Sequence, residues 1–186
     1  MSAYTRTPRT RVKRLSKRAV YDKPRVHEIL DEGYLCHVGF VRDGQPFVIP
    51  TLYARCGEML YIHGSGVSRM LNTLAEGVQV CVTVTLVDAY VLARSAFHHS
   101  MNYRSVVILG RARLLEERQE MLHALETITN QVVPGPPVDD AEDYALPVWA
   151  GLVPIRTALA EPLADGRVPP GIAAPHLSRF ARPRRR

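Results

Sequence analysis

The 186-residue chain holds only three cysteines, Cys36, Cys56 and Cys81, and no CxxC pair. The number is odd and the spacings are wide, which argues against a disulfide framework or a cysteine-rich metal site and fits a reducing cytoplasm. No run of about 18 apolar residues occurs, so no transmembrane helix is predicted. The N-terminus, MSAYTRTPRTRVKRLSKR, lacks both acids and an apolar core, so it does not read as a secretory signal. Its Arg, Ser and Thr content overlaps with organelle-targeting composition, but a solvated tail is the plainer reading. Neither GxxxxGK[ST] nor GxGxxG is present, which removes the commonest nucleotide-binding fingerprints.

Acids are also missing where the bases are densest. Residues 1–25 hold nine Lys or Arg and one acid, and residues 178–186 hold five Arg and none. The net charge of +6 therefore leaves −7 for residues 26–177. An acidic domain is expected over 21–160, between a basic tail at 1–20 and a Pro/Arg-rich tail at 161–186, both read as disordered. Nucleic-acid recognition by a folded basic face is not implied. The tails can touch nucleic acid or anionic lipid weakly and in a salt-dependent way. The 46% hydrophobic content is enough for one domain with a real core.

The pattern of elements is mainly β. Asp22 is placed to cap a helix from about Pro24 to Glu32, with Gly33 at its exit. YLCHVGFVR (34–42), the turn Arg42-Asp43-Gly44 and QPFVIPTLYAR (45–55) read as a β-hairpin. MLYIH (59–63) is a third strand, and SRMLNTLAEG (68–77) a helix with Ser68 as N-cap. VQVCVTVTLV (78–87) is a strand, with a turn expected at Asp88-Ala89 before YVLARSAF. SVVILGRARLL (105–115) is another strand with a bulge expected at Gly110. EERQEMLHALETITNQV (116–132) is an amphipathic helix with Met121, Leu122, Leu125 and Ile128 on one face. A Pro-rich acidic loop then leads to a last strand over 149–158. Five or six short strands with two or three helices suggest a small barrel with helices at its ends, an α+β fold.

Chemistry concentrates at two places. LYIHGSGVSRML (60–71) puts His63, Gly64, Ser65, Gly66, Ser68 and Arg69 where a strand meets a helix. Glycines let a ligand approach the backbone, hydroxyls donate to phosphate oxygens, and an arginine grips phosphate through two parallel bonds. The bland alternative is a capped helix after a tight turn, with Arg69 solvated. RSAFHHSMNYRS (94–105) collects two His, Asn102, Tyr103 and Arg104 before an apolar strand, as at the mouth of a ligand pocket, or as an ordinary polar connection. His37, His63, His98 and His99 are candidates for proton transfer or ligation. His98-His99 could ligate a metal or haem, although neighbours on a strand point opposite ways. Packing or hydrogen bonding is the default for each, and no metal site is assigned.

The order PFVIPTLYAR, LYIHGSGVSRML, VCVTVTLVDAYVLARSAFHHSMNYRSVVILGRARLL and YALPVWAGLVPI resembles the FMN-binding split-barrel family related to pyridoxamine 5′-phosphate oxidase, in the branch that includes nitroimidazole-resistance proteins. The resemblance spans about 20–156 and is most specific over 45–115. It departs after Gly135, where relatives usually carry a longer segment. It implies a split β-barrel that binds FMN. The flavin ring would rest against Val48, Ile49, Pro50 and Thr51, and its phosphate near His63, Gly64, Ser68 and Arg69. Asn102, Tyr103, Arg104 and Ser105 would lie by the flavin in the same cleft. It further implies a homodimer with FMN at the subunit interface. The expected activity is an FMN-dependent oxidoreductase that reduces a small organic acceptor, nitroaromatic or quinone-like, with His63 as a candidate catalytic residue. The alternatives are a non-catalytic flavin carrier or sensor, and a ligand-free interaction protein.

Overall fold

The computed structural model describes residues 3–135 and the backbone of 157–160. The elements run β1 (Ala19–Val20), α1 (Lys23–Glu32), β2 (Leu35–Arg42), β3 (Gln45–Cys56), β4 (Met59–Ile62), α2 (Arg69–Ala75), β5 (Gln79–Val91), β6 (Ser100–Arg111), α3 (Arg118–Val132) and β7 (Thr157–Ala160). The strands form one sheet in the order β1-β7-β6-β5-β2-β3-β4. All of its pairs are antiparallel. Val38, Leu60, Ile62, Val80 and Val82 surround one small interior void, so β4 and β5 meet inside although β2 and β3 lie between them in the sheet. The sheet is thus curled around its own core.

Local chemistry explains the element ends. The Asp22 carboxylate accepts the Arg25 N–H at 3.3 Å, Pro24 sits in the first turn of α1, and Val26, Ile29 and Leu30 are its fully buried face. Asp43 and Gly44 adopt φ of 52° and 77°, a left-handed pair that joins β2 to β3 in a two-residue turn and suits the twist of the strands. Ser68 caps α2 by accepting the Leu71 N–H at 3.5 Å.

Several expectations shift. Asp88-Ala89 is no turn: β5 runs straight through it, with its pairing to β6 slipping between Val87 and Ala89. That bulge takes the place of the one expected at Gly110, which pairs regularly with Val80. β6 accordingly begins at Ser100, five residues before the apolar run, because the ladder with β5 does not need apolar side chains to continue. On α3 the buried residues are Ala124 and Ile128, with Met121 packed beside them against Ala54, Tyr61 and Leu115. A small residue lets the helix approach β3 and β4, and this rotates the face away from Leu122 and Leu125.

The start of the chain differs most from the reading of 1–20 as a solvated tail. Tyr4 and Thr10 are buried. The Tyr4 hydroxyl donates to Glu58 Oε2 at 2.7 Å and contacts His27 Nε2 at 2.9 Å. β1 pairs with β7. A lone tyrosine in a basic, acid-free run gives no periodic signal, so its burial leaves no trace in the pattern. The expected tail at 161–186 and most of the last strand expected over 149–158 lie outside the described residues.

Candidate functional site

β3 changes neighbours halfway along. Its residues 45–52 pair with β2 only, and β4 joins its other side from Tyr53 to Cys56. One backbone edge of Gln45–Leu52 is therefore open among the described residues, and Val48 (64%), Ile49 (38%) and Leu52 (40%) are exposed beside it. An apolar strand with free backbone groups at its edge can take a flat, hydrogen-bonding ring.

The glycine junction reaches this edge through Arg69. Its guanidinium lies 5.7 Å from the centre of the Phe47 ring, and Phe47 in turn stacks on Phe40 at 5.5 Å. Arg69 is exposed and has no carboxylate partner among the described residues. The Ser65 hydroxyl accepts the Val67 N–H at 3.4 Å and that of Ser68 serves the helix cap, so each keeps its own proton to donate. Nδ1 of His63 is buried without a hydrogen-bond partner. A buried imidazole nitrogen of this kind is costly unless something meets it. Among the described residues the link between the two expected groups is Arg69 on Phe47, whose side chain shares a strand face with Ile49 and Thr51, while Val48 and Pro50 lie on the other face of β3. Phe47 was not singled out in the sequence; its place between Pro46 and Val48 on the edge strand was the available signal.

The second expected group is placed differently. Asn102, Tyr103, Arg104 and Ser105 lie on β6, and both β5 and β2 stand between β6 and β3 in the sheet. Within one chain the ladder does not bring them beside Val48–Thr51. Arg104 is also committed: it bonds Glu32 through both terminal nitrogens at 2.7 and 2.8 Å, and Asp88 through Nε and Nη2 at 3.0 and 2.8 Å. Its guanidinium ties α1 to the β5 bulge and is not free for a ligand. Tyr103 remains partly exposed. His98 lies in a single 3-10 turn and not on a strand, and His99 just after it accepts the Ala93 N–H on Nδ1 at 3.0 Å. His37 is exposed on β2, opposite Pro50. No group of three or more His, Cys, Asp or Glu with metal-binding placement occurs among the described residues.

The Arg104 cluster gives the molecule a pH dependence. The hydrogen bonds from Arg104, opposed by partial burial and aided by its charge, hold the Glu32 carboxyl below its ordinary value. A depressed folded-state pKa contributes stability that is present above the ordinary carboxylate value and is lost as pH falls through the lowered one. Glu32→Gln is expected to flatten the acid side of the stability–pH curve, measured by urea unfolding between neutral and acid pH. An acid limb of unchanged slope would show that this pair does not contribute.

Residues 22–157 match the sequence profile of the pyridoxamine 5′-phosphate oxidase family, well over half of the chain. No curated protein matches. Among solved structures, the FAD- and haem-binding protein from Mycobacterium smegmatis is 30% identical with a TM-score of 0.71, over 78% of this chain and 74% of that one. The flavocytochrome Anf3 from Azotobacter vinelandii is 35% identical with a TM-score of 0.63, over 91% and 94%. A candidate 5-nitroimidazole antibiotic resistance protein from Bacteroides thetaiotaomicron, at 24% identity and a TM-score of 0.62 over 76% and 85%, shares the fold. The curled antiparallel sheet is therefore the split barrel that the resemblance implied, and the chain belongs to the pyridoxamine 5′-phosphate oxidase family.

Proposed function

We propose that this chain is a flavin-binding redox protein that holds the FMN moiety, alone or as part of FAD, along the open edge of β3. The observation that carries the reading is the Arg69 guanidinium against Phe47, without a carboxylate partner among the described residues, which joins a phosphate-compatible corner to an exposed apolar strand edge. Arg69 and the Ser65 and Ser68 hydroxyls would hold the phosphate end, and the Val48–Thr51 edge would carry the ring. His63 Nδ1, buried without a hydrogen-bond partner, would gain one from a molecule in this corner. The bound flavin supplies electron transfer; the chain binds it, orients it and shields one face. The Mycobacterium relative favours FAD over FMN as the physiological form.

The site as one chain builds it is half a cleft. The β5–β6 ladder continues to Val91 and Ser100, well past the last β2–β5 pair at Cys36 and Val84. Exposed Val87, Tyr90, Leu92 and Phe97 lie on or at the end of that arm. A two-stranded arm with apolar residues in water is unstable unless it packs on something. We assign it to a second copy of the chain, whose Asn102, Tyr103 and Ser105 would close the cleft over the first copy's flavin. The proposed acceptor class is a small nitroaromatic or quinone-like compound, and the compartment a reducing cytoplasm, as the cysteine usage suggests. Among the described residues no helix is long and apolar enough to cross a membrane.

Two relatives at 30% and 35% identity are named for haem or as a flavocytochrome, and His63 offers a buried imidazole nitrogen without a partner. Flavin together with haem is accordingly the second reading. One experiment separates the readings. The flavin-loaded protein is expected to bleach with a reduced nicotinamide and to recover its colour on adding a nitroaromatic or quinone. Reduction without reoxidation by either acceptor would favour a carrier. A Soret band formed with added haemin and lost in His63→Ala would establish the second reading.

A further inference from the structure

The longer of the two basic stretches of the chain is folded onto the domain. Residues 6–18 contain no acid. Arg6, Arg9, Arg11, Lys13, Arg14 and Lys17 are all exposed. None has a carboxylate partner among the described residues; Arg9 reaches only the Gln79 side chain, and Arg6 lies 4.7 Å over the Tyr21 ring. The stretch is pinned at both ends. Tyr4 is tied to Glu58 and His27, while the Tyr21 hydroxyl donates to the Thr10 carbonyl at 3.0 Å and accepts the Val12 N–H at 3.1 Å. Between them Leu15 is 53% exposed at φ 54°, a conformation leucine rarely adopts. An apolar side chain is thus held outward amid cations.

We propose that residues 6–18 are a docking loop for the anionic headgroups of a lipid surface. Cations of this density attract an acidic leaflet, and an apolar residue at their centre can enter the headgroup layer. The rest of the charge distribution favours a plane over a wrapping polyanion. Residues 26–135 hold eleven acids and eight bases, so a nucleic acid that followed this surface would meet net repulsion once it left the loop. Residues 6–18 hold no aromatic, and the flanking Tyr4 and Tyr21 are buried and cannot stack bases. The three-residue turn Ser16–Arg18 is too short to read a groove.

The test is co-sedimentation of the full chain with phosphatidylcholine vesicles, with and without about one third phosphatidylserine. Binding is expected only to the anionic vesicles, falling steeply with added salt. Reversing Arg11, Lys13 and Arg14 to Glu together is expected to lower partitioning by about a hundredfold or more. Leu15→Ser should lower it severalfold with an unchanged salt dependence. Unaltered far-ultraviolet circular dichroism shows that a variant is folded, and the salt titration of the wild type tests the idea without any variant. Equal binding to neutral vesicles overturns the proposal, as does retention by the charge-reversed protein. So does tighter binding to a single-stranded oligonucleotide at the same ionic strength, or loss of vesicle binding when only residues 178–186 are deleted.

Discussion

Leu71→Ala is expected to destabilise the fold by about 2–5 kcal/mol, read as a lower urea midpoint. Leu71 is fully buried in the main core cluster. It also supports the corner described above, because a Cβ built on Gly64 would stand 3.0 Å from Leu71 Cδ1. The leucine packs directly beneath the Gly64 backbone, and a Cβ there would press on its Cδ1 and require the leucine to give way slightly. Truncation leaves a void under the strand–helix junction as well as removing apolar burial. For a domain whose total stability is of order 5–15 kcal/mol, that is a large share. Leu71→Met, close in volume, is expected to lose less than about 1.5 kcal/mol. A Leu71→Ala protein within about 0.5 kcal/mol of the wild type would show that α2 is not seated on the core as described.

Arg69→Ala is expected to weaken FMN binding by about 1.5–3 kcal/mol, a factor of roughly 10 to 150, through loss of a charge-assisted contact to phosphate. The fold should change little. Arg69 is exposed, and the described contact of its guanidinium is the Phe47 ring, a cation–π interaction worth about 0.5–1 kcal/mol at an exposed site. Riboflavin, which lacks the phosphate, provides the control. Its affinity should be nearly the same for wild type and variant, since the proposed ring contacts lie on β3. Equal loss for both ligands would mean that Arg69 shapes the corner without touching phosphate, and unchanged FMN affinity would remove it from the site.

What could be read from the sequence follows from how local each signal is. The Asp43-Gly44 turn, the Asp22 and Ser68 caps and the valine-rich β5 depend on residues within a few positions of one another, and each stands where expected. Asp88 misled because an aspartate beside an alanine reads as a turn. In the fold its carboxylate is instead held by Arg104, which also bonds Glu32, 72 residues away in the sequence. The same long-range pair explains why Arg104 looked available for a ligand. Tyr4 was lost in the basic run for an equivalent reason, since its partner Glu58 is 54 residues on. The Gly/Ser/Arg junction was legible because its chemistry is contiguous, whereas its link to β3 through Phe47 exists only once the barrel has curled. Identification of the flavin class came from the order of motifs along the chain; the junction alone indicates an anion.

Titration of the purified full-length chain with FMN and with FAD, followed by absorbance and by the mass of the retained ligand, tests the central claim most directly. Stoichiometric uptake of at least one of the two, with affinity reduced by roughly 10- to 150-fold in Arg69→Ala, is the predicted result. A folded chain that retains neither flavin, with the corner between β4 and α2 closed to both, would contradict it.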